Sequence, residues 1–328
     1  MKKLISLILF ISLNLVAYNQ IVSGTIYDKE TKSIIDFASI YFNGTFVGTN
    51  SDKNGHFELE IAGNESKPLT ISALGYYSVT FAEVSSKKPL VVYMTPKTFE
   101  LNDVVVAAKS LTKARKRYLE LFRSEFLGST ENADNCVIMN EEDITFNYGS
   151  CKDTLRAFAS KPLVIYNNAL GYKITYYLDN FEYRLRDRSF SFNGNIIFNE
   201  DWAKDETKKQ LFEERRKSTF LGSRMHFFRE LWANDLFSAG FKVQNTYGEN
   251  LAYNKIVIQG INGKRFIKFP EKLCIIYSPY KSKSYINFLK DQVFFDASGY
   301  ADLMGISWEG DMAMKRIADW LPYEYTIK

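Results

Sequence analysis

Residues 45–59 read TFVGTNSDKNGHFEL and decide how the first part of the chain folds. Residues 46–49 have the composition of a short strand, and residues 56–61 alternate apolar and polar side chains, as a strand with one buried face does. Between them, Asp52 can accept hydrogen bonds from the amides that follow it, and Asn54-Gly55 tolerates a positive φ. The stretch therefore predicts a β-hairpin with its turn at residues 50–55.

The same kind of pattern continues on both sides of this hairpin. Further strands are expected at residues 21–28, 34–43, 69–73, 77–81 and 90–94. Short strands separated by turn signals every eight to twelve residues are typical of β-sandwiches. The first part of the chain is therefore predicted to be a seven-stranded antiparallel β-sandwich.

Several motifs of this part resemble those of the carboxypeptidase-regulatory-like domain. They are SGTIYD at 23–28, Gly44-Thr45 and Gly48-Thr49, SDKNGHF at 51–57, and SALGY at 72–76. The resemblance covers residues 20–107 and implies a transthyretin-like (prealbumin-like) sandwich, which exported proteins of Gram-negative bacteria carry, often directly after a signal peptide.

The resemblance to this domain does not imply carboxypeptidase activity. A zinc carboxypeptidase needs closely spaced His and Glu ligands, a further His and a general base. The chain has two histidines, His56 and His226, and neither has a Glu three residues further on. We predict no catalytic, cofactor-binding or metal-binding residues, and hence a protein that is not an enzyme.

Residues 1–19 are predicted to be a signal peptide. Lys2 and Lys3 precede an apolar run that is short for a membrane span, and the small residue Ala17 stands near its end. A retained N-terminal anchor is the alternative, and no Cys follows the run as in a lipoprotein. The prediction places the chain in the periplasm or at the outer membrane or cell surface, with no transmembrane span after cleavage.

Composition describes a globular, β-rich protein. Of 328 residues, 46% are hydrophobic and 24% charged, and the aromatic share of 16% suits sheet faces. Loss of Lys2 and Lys3 would lower the formal net charge from +4 to about +2. Neither nucleic acid nor an acidic surface is indicated as a partner.

The three cysteines leave two possibilities open. Cys136 and Cys151 can form a disulfide if their segments pair as a hairpin, which would leave Cys274 as a thiol. Three buried thiols are the alternative.

Residues 100–107 connect the sandwich to the rest of the chain. This acidic and Val-rich run resembles the segment that follows the same domain in outer-membrane nutrient receptors and contacts the energy-transducing protein TonB. We favour a strand that closes the sandwich or joins the next domain, since added edge strands are a common use of such runs. Residues 111–127 follow as an amphipathic helix whose basic face is either solvated or in contact with phospholipid headgroups.

Residues 108–328 are predicted to form an uncharacterised α+β domain, larger than the sandwich, with a mixed β-sheet and about four helices. Helices are expected at 111–127, 205–217, 223–238 and 311–321, and strands at 136–146, 163–166, 172–180, 183–192, 195–198, 241–247, 253–259, 266–269, 273–277, 285–289 and 292–296. Segments 126–129, 168–174 and 321–325 are similar to the C-terminal part of uncharacterised exported proteins with the same N-terminal domain.

Three groups of side chains are candidate sites. Residues 52–55 resemble a calcium loop faintly, but the ligand series and the closing Glu are absent. A carboxylate pair for glycoside hydrolysis could come from Glu141, Glu142 and Asp143 together with Asp153 or Asp179. Sugars could stack on exposed aromatic rings. The candidate rings are Tyr76, Tyr77, Tyr176, Tyr177, Trp202, Tyr323 and Tyr325.

The leading hypothesis is an exported, non-enzymatic envelope protein whose sandwich is an interaction or structural module for the C-terminal domain. An envelope protein or a glycan is its expected partner. The alternative is a hydrolase of polysaccharide or peptidoglycan, which requires Glu142, Asp179 and Asp296 to converge in one cleft. A glycan-binding accessory protein is a third possibility and needs at least two rings on one solvent-facing surface.

Overall fold

The computed structural model describes residues 20–84, 88–97, 104–106, 113–148, 153–200 and 206–327. The predicted signal peptide, Cys151 and Trp202 lie outside these residues. The strands are β1 Ile21–Asp28, β2 Ser39–Phe42, β3 Gly48–Asn50, β4 His56–Glu60, β5 Leu69–Ser72, β6 Val79–Phe81, β7 Leu90–Met94, β8 Val104–Val106, β9 Cys136–Ile138, β10 Ile144–Tyr148, β11 Thr154–Ala159, β12 Leu163–Asn167, β13 Tyr172–Arg184, β14 Phe190–Asn199, β15 Phe241–Gln244, β16 Val257–Gln259, β17 Arg265–Ile267, β18 Leu273–Tyr277, β19 Ser282–Phe288, β20 Val293–Phe295 and β21 Ile306–Gly310. The α-helices are α1 Lys113–Leu127, α2 Glu131–Asp134, α3 Glu206–Phe220, α4 Arg224–Ala233, α5 Tyr253–Ile256 and α6 Asp311–Met314.

The first seven strands form the predicted sandwich. One sheet has the order β4-β1-β7 and the other β3-β2-β5-β6. Alternating residues such as Val22, Ile26 and Phe57 point into the core between them. The seven strands and the mainly β fold are confirmed, with one difference: β7 pairs with β1 in parallel. A parallel pair arises here because the chain enters the second sheet and returns before β7 forms.

The stretch predicted as a hairpin forms the expected turn at residues 50–55, but its two strands, β3 and β4, do not pair with each other. Backbone amides of Asn54 and His56 donate to Asp52 Oδ1 at 2.8 and 2.9 Å, and Gly55 has φ +70°. However, β3 pairs with β2, whereas β4 pairs with β1 in the other sheet. The hairpin prediction was wrong because strand partners are chosen by long-range packing, which local alternation does not encode.

A seven-stranded sheet follows, with the order β8-β10-β11-β13-β12-β9 and β14 paired to β13. Helix α1 buries its apolar face against this sheet, and Phe122 lies 4.8 Å from Phe126 and 4.8 Å from Phe181 between ring centroids. β8 pairs with β10 at the edge of the sheet. The run after the sandwich thus joins the next sheet, as the favoured interpretation expected.

Two smaller sheets, β15-β18-β19-β21 and β16-β17-β20, surround α4 and enclose a separate core. Helices α1, α3 and α4 confirm three of the four predicted helices. The fourth, expected at 311–321, is split into α6 and a 3₁₀ turn at Ile317–Asp319. Residues 253–256, expected as strand, form α5. Both differences concern segments of one or two turns, where packing outweighs local preference.

The sandwich packs with its β3-β2-β5-β6 sheet against the seven-stranded sheet. β2 and β5 are therefore buried almost throughout, including polar Thr70 and Ser72. The Tyr41 ring stacks on Tyr177 with centroids 5.6 Å apart, and Tyr177 donates its hydroxyl to Ser39 Oγ at 2.8 Å. This packing brings the loop after β2 to the candidate site.

Candidate functional site

The loop after β2 crosses from the sandwich into the C-terminal region. Gly44 N donates to Ile196 O at 3.0 Å, and Phe198 N donates to Thr45 O at 3.2 Å, so the loop lies beside β14 like a short parallel strand. On its other side, Tyr323 N donates to Gly44 O at 2.9 Å. The loop is thereby held between a strand and the C-terminal segment.

Glycine is required at position 44. Its φ is +79°, where a side chain is strained, and a Cβ atom would lie 2.6 Å from the Tyr323 ring. The close approach of the loop to the C-terminal segment depends on this missing side chain.

A cavity of about 110 Å³ lies at this contact, and we call it the junction cavity. Its wall comes from the loop after β2, β14, the N-terminus of α4, segments 299–301 and 306–308, and the C-terminal segment 315–323. Aromatic rings form much of the wall. They are Phe198, Phe228, Tyr300, Trp308, Trp320 and Tyr323. For scale, an engineered apolar cavity of about 150 Å³ holds benzene.

Arg224 is the cation at the N-terminus of α4. Ser223 caps this helix by accepting His226 N at 3.1 Å. The guanidinium donates from Nε and Nη2 to Met312 O at 3.1 and 2.8 Å, and it lies 5.2 Å from the Trp308 ring centroid. Burial lowers the pKa of Arg224 to about 10, and Arg316 nearby acts in the same direction. The side chain stays cationic at neutral pH.

Lys315 and Asp319 complete the charged part of the wall. Lys315 Nζ donates to the carbonyls of Thr219 and Leu221 at 3.0 and 3.3 Å, where α3 ends, so it offsets the negative end of that helix. Asp319 accepts Asn132 Nδ2 at 2.8 Å, and burial raises its pKa. The wall thus carries two cations and one carboxylate.

The carboxylates proposed for hydrolysis lie in separate surroundings. Glu142 is exposed beside α1, in a 3₁₀ turn before β10. Asp179 accepts Asn195 Nδ2 at 3.2 Å, whereas Asp296 accepts Ser66 Oγ at 2.7 Å and closes its own turn. The recorded contacts of these three carboxylates share no residue. The structure does not bring them into one cleft.

Acidic residues 141–143 serve as partners of basic residues. Glu141 receives a two-pronged contact from Arg123. Asp143 accepts Lys161 Nζ at 3.2 Å and Asn140 Nδ2 at 2.9 Å. Asp153 lies at the start of β11, and its carbonyl accepts Leu185 N at 2.8 Å. This cluster holds the turn before β10 in place.

The histidines occupy different environments. His56 is exposed beside Glu58, with 3.6 Å between Nε2 and Oε1. His226 is buried, accepts Gly222 N at 3.1 Å through Nδ1, and packs on Phe220. Burial, with Lys315 as a further cause, lowers the pKa of His226 to about 4, so the ring is neutral at neutral pH. Within the part of the chain that is described, no three His, Cys, Asp or Glu side chains are grouped to hold a metal.

The paired tyrosines do not form shared platforms. Tyr76 donates its hydroxyl to Asp28 Oδ2 at 2.8 Å, while Tyr77 is 45% exposed. Tyr176 and Tyr325 are buried. Tyr323 lines the junction cavity, and Tyr177 is half-buried against the sandwich. Each described pair presents at most one ring to solvent.

The strand pairing removes the basis for a Cys136–Cys151 bridge. Cys136 begins β9, which pairs with β12. The strands before and after position 151, β10 and β11, pair with each other. The hairpin expected to join the two cysteines was therefore wrong. Cys136 and Cys274 are free thiols, and burial raises the pKa of Cys136 to about 12.

Arg224 and Lys315 were not predicted as site residues. In the sequence they have the pattern of solvent-exposed charges, Arg224 at the start of a helix and Lys315 directly after one. One signal was available for Arg224. A cation in the first turn of a helix opposes the helix dipole, and an N-cap Ser at 223 marks that turn. Such a cation indicates that another interaction holds it there.

Comparison with known proteins bears on the first quarter of the chain. Residues 22–106 match the family described as "CarboxypepD_reg-like domain", which confirms the resemblance carried by the motifs. Among solved structures, a Bacteroides fragilis protein of unknown function, provisionally described as membrane-associated, is 10% identical and covers 88% of this chain and 94% of its own. Its TM-score of 0.18 does not establish a shared fold. No curated protein matches the chain.

Proposed function

We propose that this chain is an exported, non-enzymatic protein of the cell envelope, located in the periplasm or at the outer membrane or cell surface. Its carboxypeptidase-regulatory-like sandwich is a structural module for the C-terminal domain, residues 108–328. The observation that supports this role is the insertion of residues 43–46 between β14 and the C-terminal segment. A family built as a regulatory-like module, not as a catalyst, is consistent with it.

Further contacts spread the attachment over a wide surface. Ser66 donates to Asp296, and Glu83 pairs with Lys264 at 2.5 Å, far along the chain in both cases. Lys97 Nζ donates to Leu178 O at 3.4 Å near the other end of the sandwich sheet. Contacts at several separate places fix the orientation of two domains better than one contact does. The sandwich therefore supports the C-terminal domain as a rigid neighbour.

The non-enzymatic part of the proposal rests on the scattered carboxylates and on the family. Hydrolysis of a glycosidic bond needs two carboxyl groups that face the same bond. Glu142, Asp179 and Asp296 each have their own hydrogen-bond or charge partners instead.

Of the helices described above, none combines the length and the apolar character that a membrane-spanning helix requires.

The structural role is tested by Gly44→Ala, with Gly63→Ala as the matched control. Both glycines lie in the sandwich with nearly equal φ, +79° and +78°, so alanine is strained alike in both. Only at position 44 does the new Cβ meet Tyr323; at position 63 it meets nothing within 4 Å. Gly63→Ala is expected to cost about 1–2 kcal/mol of unfolding free energy, and Gly44→Ala clearly more.

Chemical denaturation should also show how the two domains depend on each other. If the sandwich is structural, the sandwich and the C-terminal region are expected to unfold in one transition in the parent chain, and Gly44→Ala is expected to split that transition into two. Adding Tyr323→Ala to the Gly44→Ala variant should restore part of the lost unfolding free energy, because it removes the ring that the new Cβ atom meets. Equal effects of the two glycine variants, with no recovery, would contradict the structural role.

Export is tested by fractionating cells that express the full chain and sequencing its N-terminus. The proposal expects a mature chain that starts near residue 20 in the envelope fraction. A chain that retains Met1 and stays in the cytoplasmic fraction would contradict it.

A further inference from the structure

We propose that the junction cavity binds a small organic carboxylate with an apolar or aromatic body, held by the Arg224 guanidinium. This inference goes beyond the proposed structural role, because it assigns a ligand to the contact that the sandwich completes.

The guanidinium of Arg224 has no counter-charge among the described residues. Two buried guanidiniums of this protein have carboxylate partners, Arg216 with Glu213 at 2.8 Å and Arg316 with Glu125 at 2.6 Å, whereas buried Arg115 donates to backbone carbonyls, as Arg224 does. Among the described residues, no carboxylate lies within 4.0 Å of the Arg224 guanidinium. A desolvated cation without a counter-ion is costly, so a bound anion would be favoured there.

Part of the Arg224 guanidinium has no hydrogen-bond partner among the described residues. Nε and Nη2 both donate to Met312 O, which occupies one side of the planar group. Nη1 makes no hydrogen bond to any described residue. The outer N–H groups of Nη1 and Nη2 form the second fork of a guanidinium, and a carboxylate accepts such a fork with both oxygens.

The N-terminus of α4 adds to this attraction. Ser223, Arg224 and Met225 all line the cavity, and the first amides of a ten-residue helix have no partner within the helix. Amides and dipole at a helix N-terminus favour an anion. Three features of one wall therefore select the same charge.

The remaining wall selects the kind of anion. Phe198, Phe228 and Trp320 line the cavity, and its volume of about 110 Å³ is below that of the benzene-binding cavity, which limits the enclosed body of a ligand to at most one small ring or a short chain. Asp319 also lines it and would repel a second negative charge on the ligand. A monocarboxylate with an apolar body fits these conditions better than phosphate does.

The experiment measures binding of benzoate to the mature chain by isothermal titration calorimetry and thermal shift. Benzoate combines a carboxylate with one ring, and inorganic phosphate serves as the second probe. We expect saturable benzoate binding that raises the unfolding midpoint, and much weaker binding of phosphate. Absence of saturable benzoate binding up to 10 mM (about the weakest affinity of interest), or phosphate binding as tight as benzoate, would overturn the proposal.

Variants at position 224 test the assigned contact. Arg224→Lys keeps the charge and a donor for Met312 but removes the fork, so benzoate binding is expected to weaken about tenfold or more. Arg224→Met should abolish binding, and the lysine variant remains informative if the methionine variant fails to fold. Arg156→Met, which removes a half-exposed guanidinium on β11, should bind like the parent chain. Unchanged binding in Arg224→Lys would overturn the assignment.

Discussion

Two buried polar groups, Asp28 of the sandwich and Arg316 of the C-terminal region, illustrate contacts of different range along the chain. In the sandwich, Asp28 accepts the amides of Glu30 and Thr31, two and three residues away. In the C-terminal region, Arg316 donates to Ser124 O, 192 residues away in the chain. The first kind of contact closes a turn, whereas the second joins distant segments.

This difference indicates what holds each region together. A turn contact forms as soon as its few residues adopt the turn, so it depends little on the rest of the fold. A buried guanidinium must bring its carbonyl and carboxylate partners together from several segments, and losing it leaves all of them unpaired. The C-terminal region should therefore be more sensitive to single polar substitutions than the sandwich.

The largest effect is expected for Arg316→Met. Arg316 is 7% exposed, donates to Ser124 O and Glu125 Oε2 at 3.0 and 2.6 Å, and lies 3.9 Å from the Phe190 ring centroid. Its removal leaves a largely buried carboxylate unpaired, which should cost about 3–5 kcal/mol of unfolding free energy in urea denaturation. Arg156→Met, the exposed control, should cost less than about 1 kcal/mol. Similar losses of unfolding free energy in both variants would show that the buried and the exposed guanidinium contribute equally to stability.

A smaller loss is expected for Asn167→Ala at the end of β12. Asn167 is fully buried, donates to Ala318 O at 2.8 Å and accepts the amides of Ala169 and Leu170. Leaving these groups unpaired should lower the unfolding free energy by about 2–3 kcal/mol. The exposed Asn193 provides the control, and Asn193→Ala should change it by less than about 0.5 kcal/mol. A loss at Asn167 no larger than this would show that the distant contacts contribute little.

The smallest expected effects concern the change of unfolding free energy with pH. This change should have opposite signs for Asp28 in the sandwich and Asp319 in the C-terminal region. Hydrogen bonds from the Thr31 amide and the Tyr76 hydroxyl lower the pKa of Asp28 below 3.8. Its contribution to stability is present above that pH and is lost as pH falls through the folded-state pKa. Burial raises the pKa of Asp319 above 3.8, so ionisation costs stability as pH rises through its folded-state pKa.

Urea denaturation from pH 2 to pH 7 checks this contrast. Asp28→Asn should reduce the loss of unfolding free energy between pH 4 and pH 2. Asp319→Asn should remove a decline in unfolding free energy that the parent chain shows as pH rises above about 4. Changes of the same sign in both variants would contradict the assigned environments.

Part of the fold was predictable because its signals are local. The Asp52 turn and the alternation of β4 are contained in a few consecutive residues, and so is the helical spacing of Phe122 and Phe126 in α1. The junction cavity was not predictable. Its wall combines Gly44, Arg224 and Asp319, which are separated by more than ninety residues at each step and carry no common motif.

The sequence by itself determined the seven strands of the sandwich, the three long helices and the similarity of residues 22–106 to a regulatory-like domain. Only the tertiary structure decided that β3 and β4 belong to different sheets. It also decided that Arg224 lines a cavity, and that no described carboxylate pairs with its guanidinium. The physical reason is the range of the interactions. Periodicity and turn chemistry act between near neighbours, whereas strand pairing and charge compensation depend on which distant segments meet.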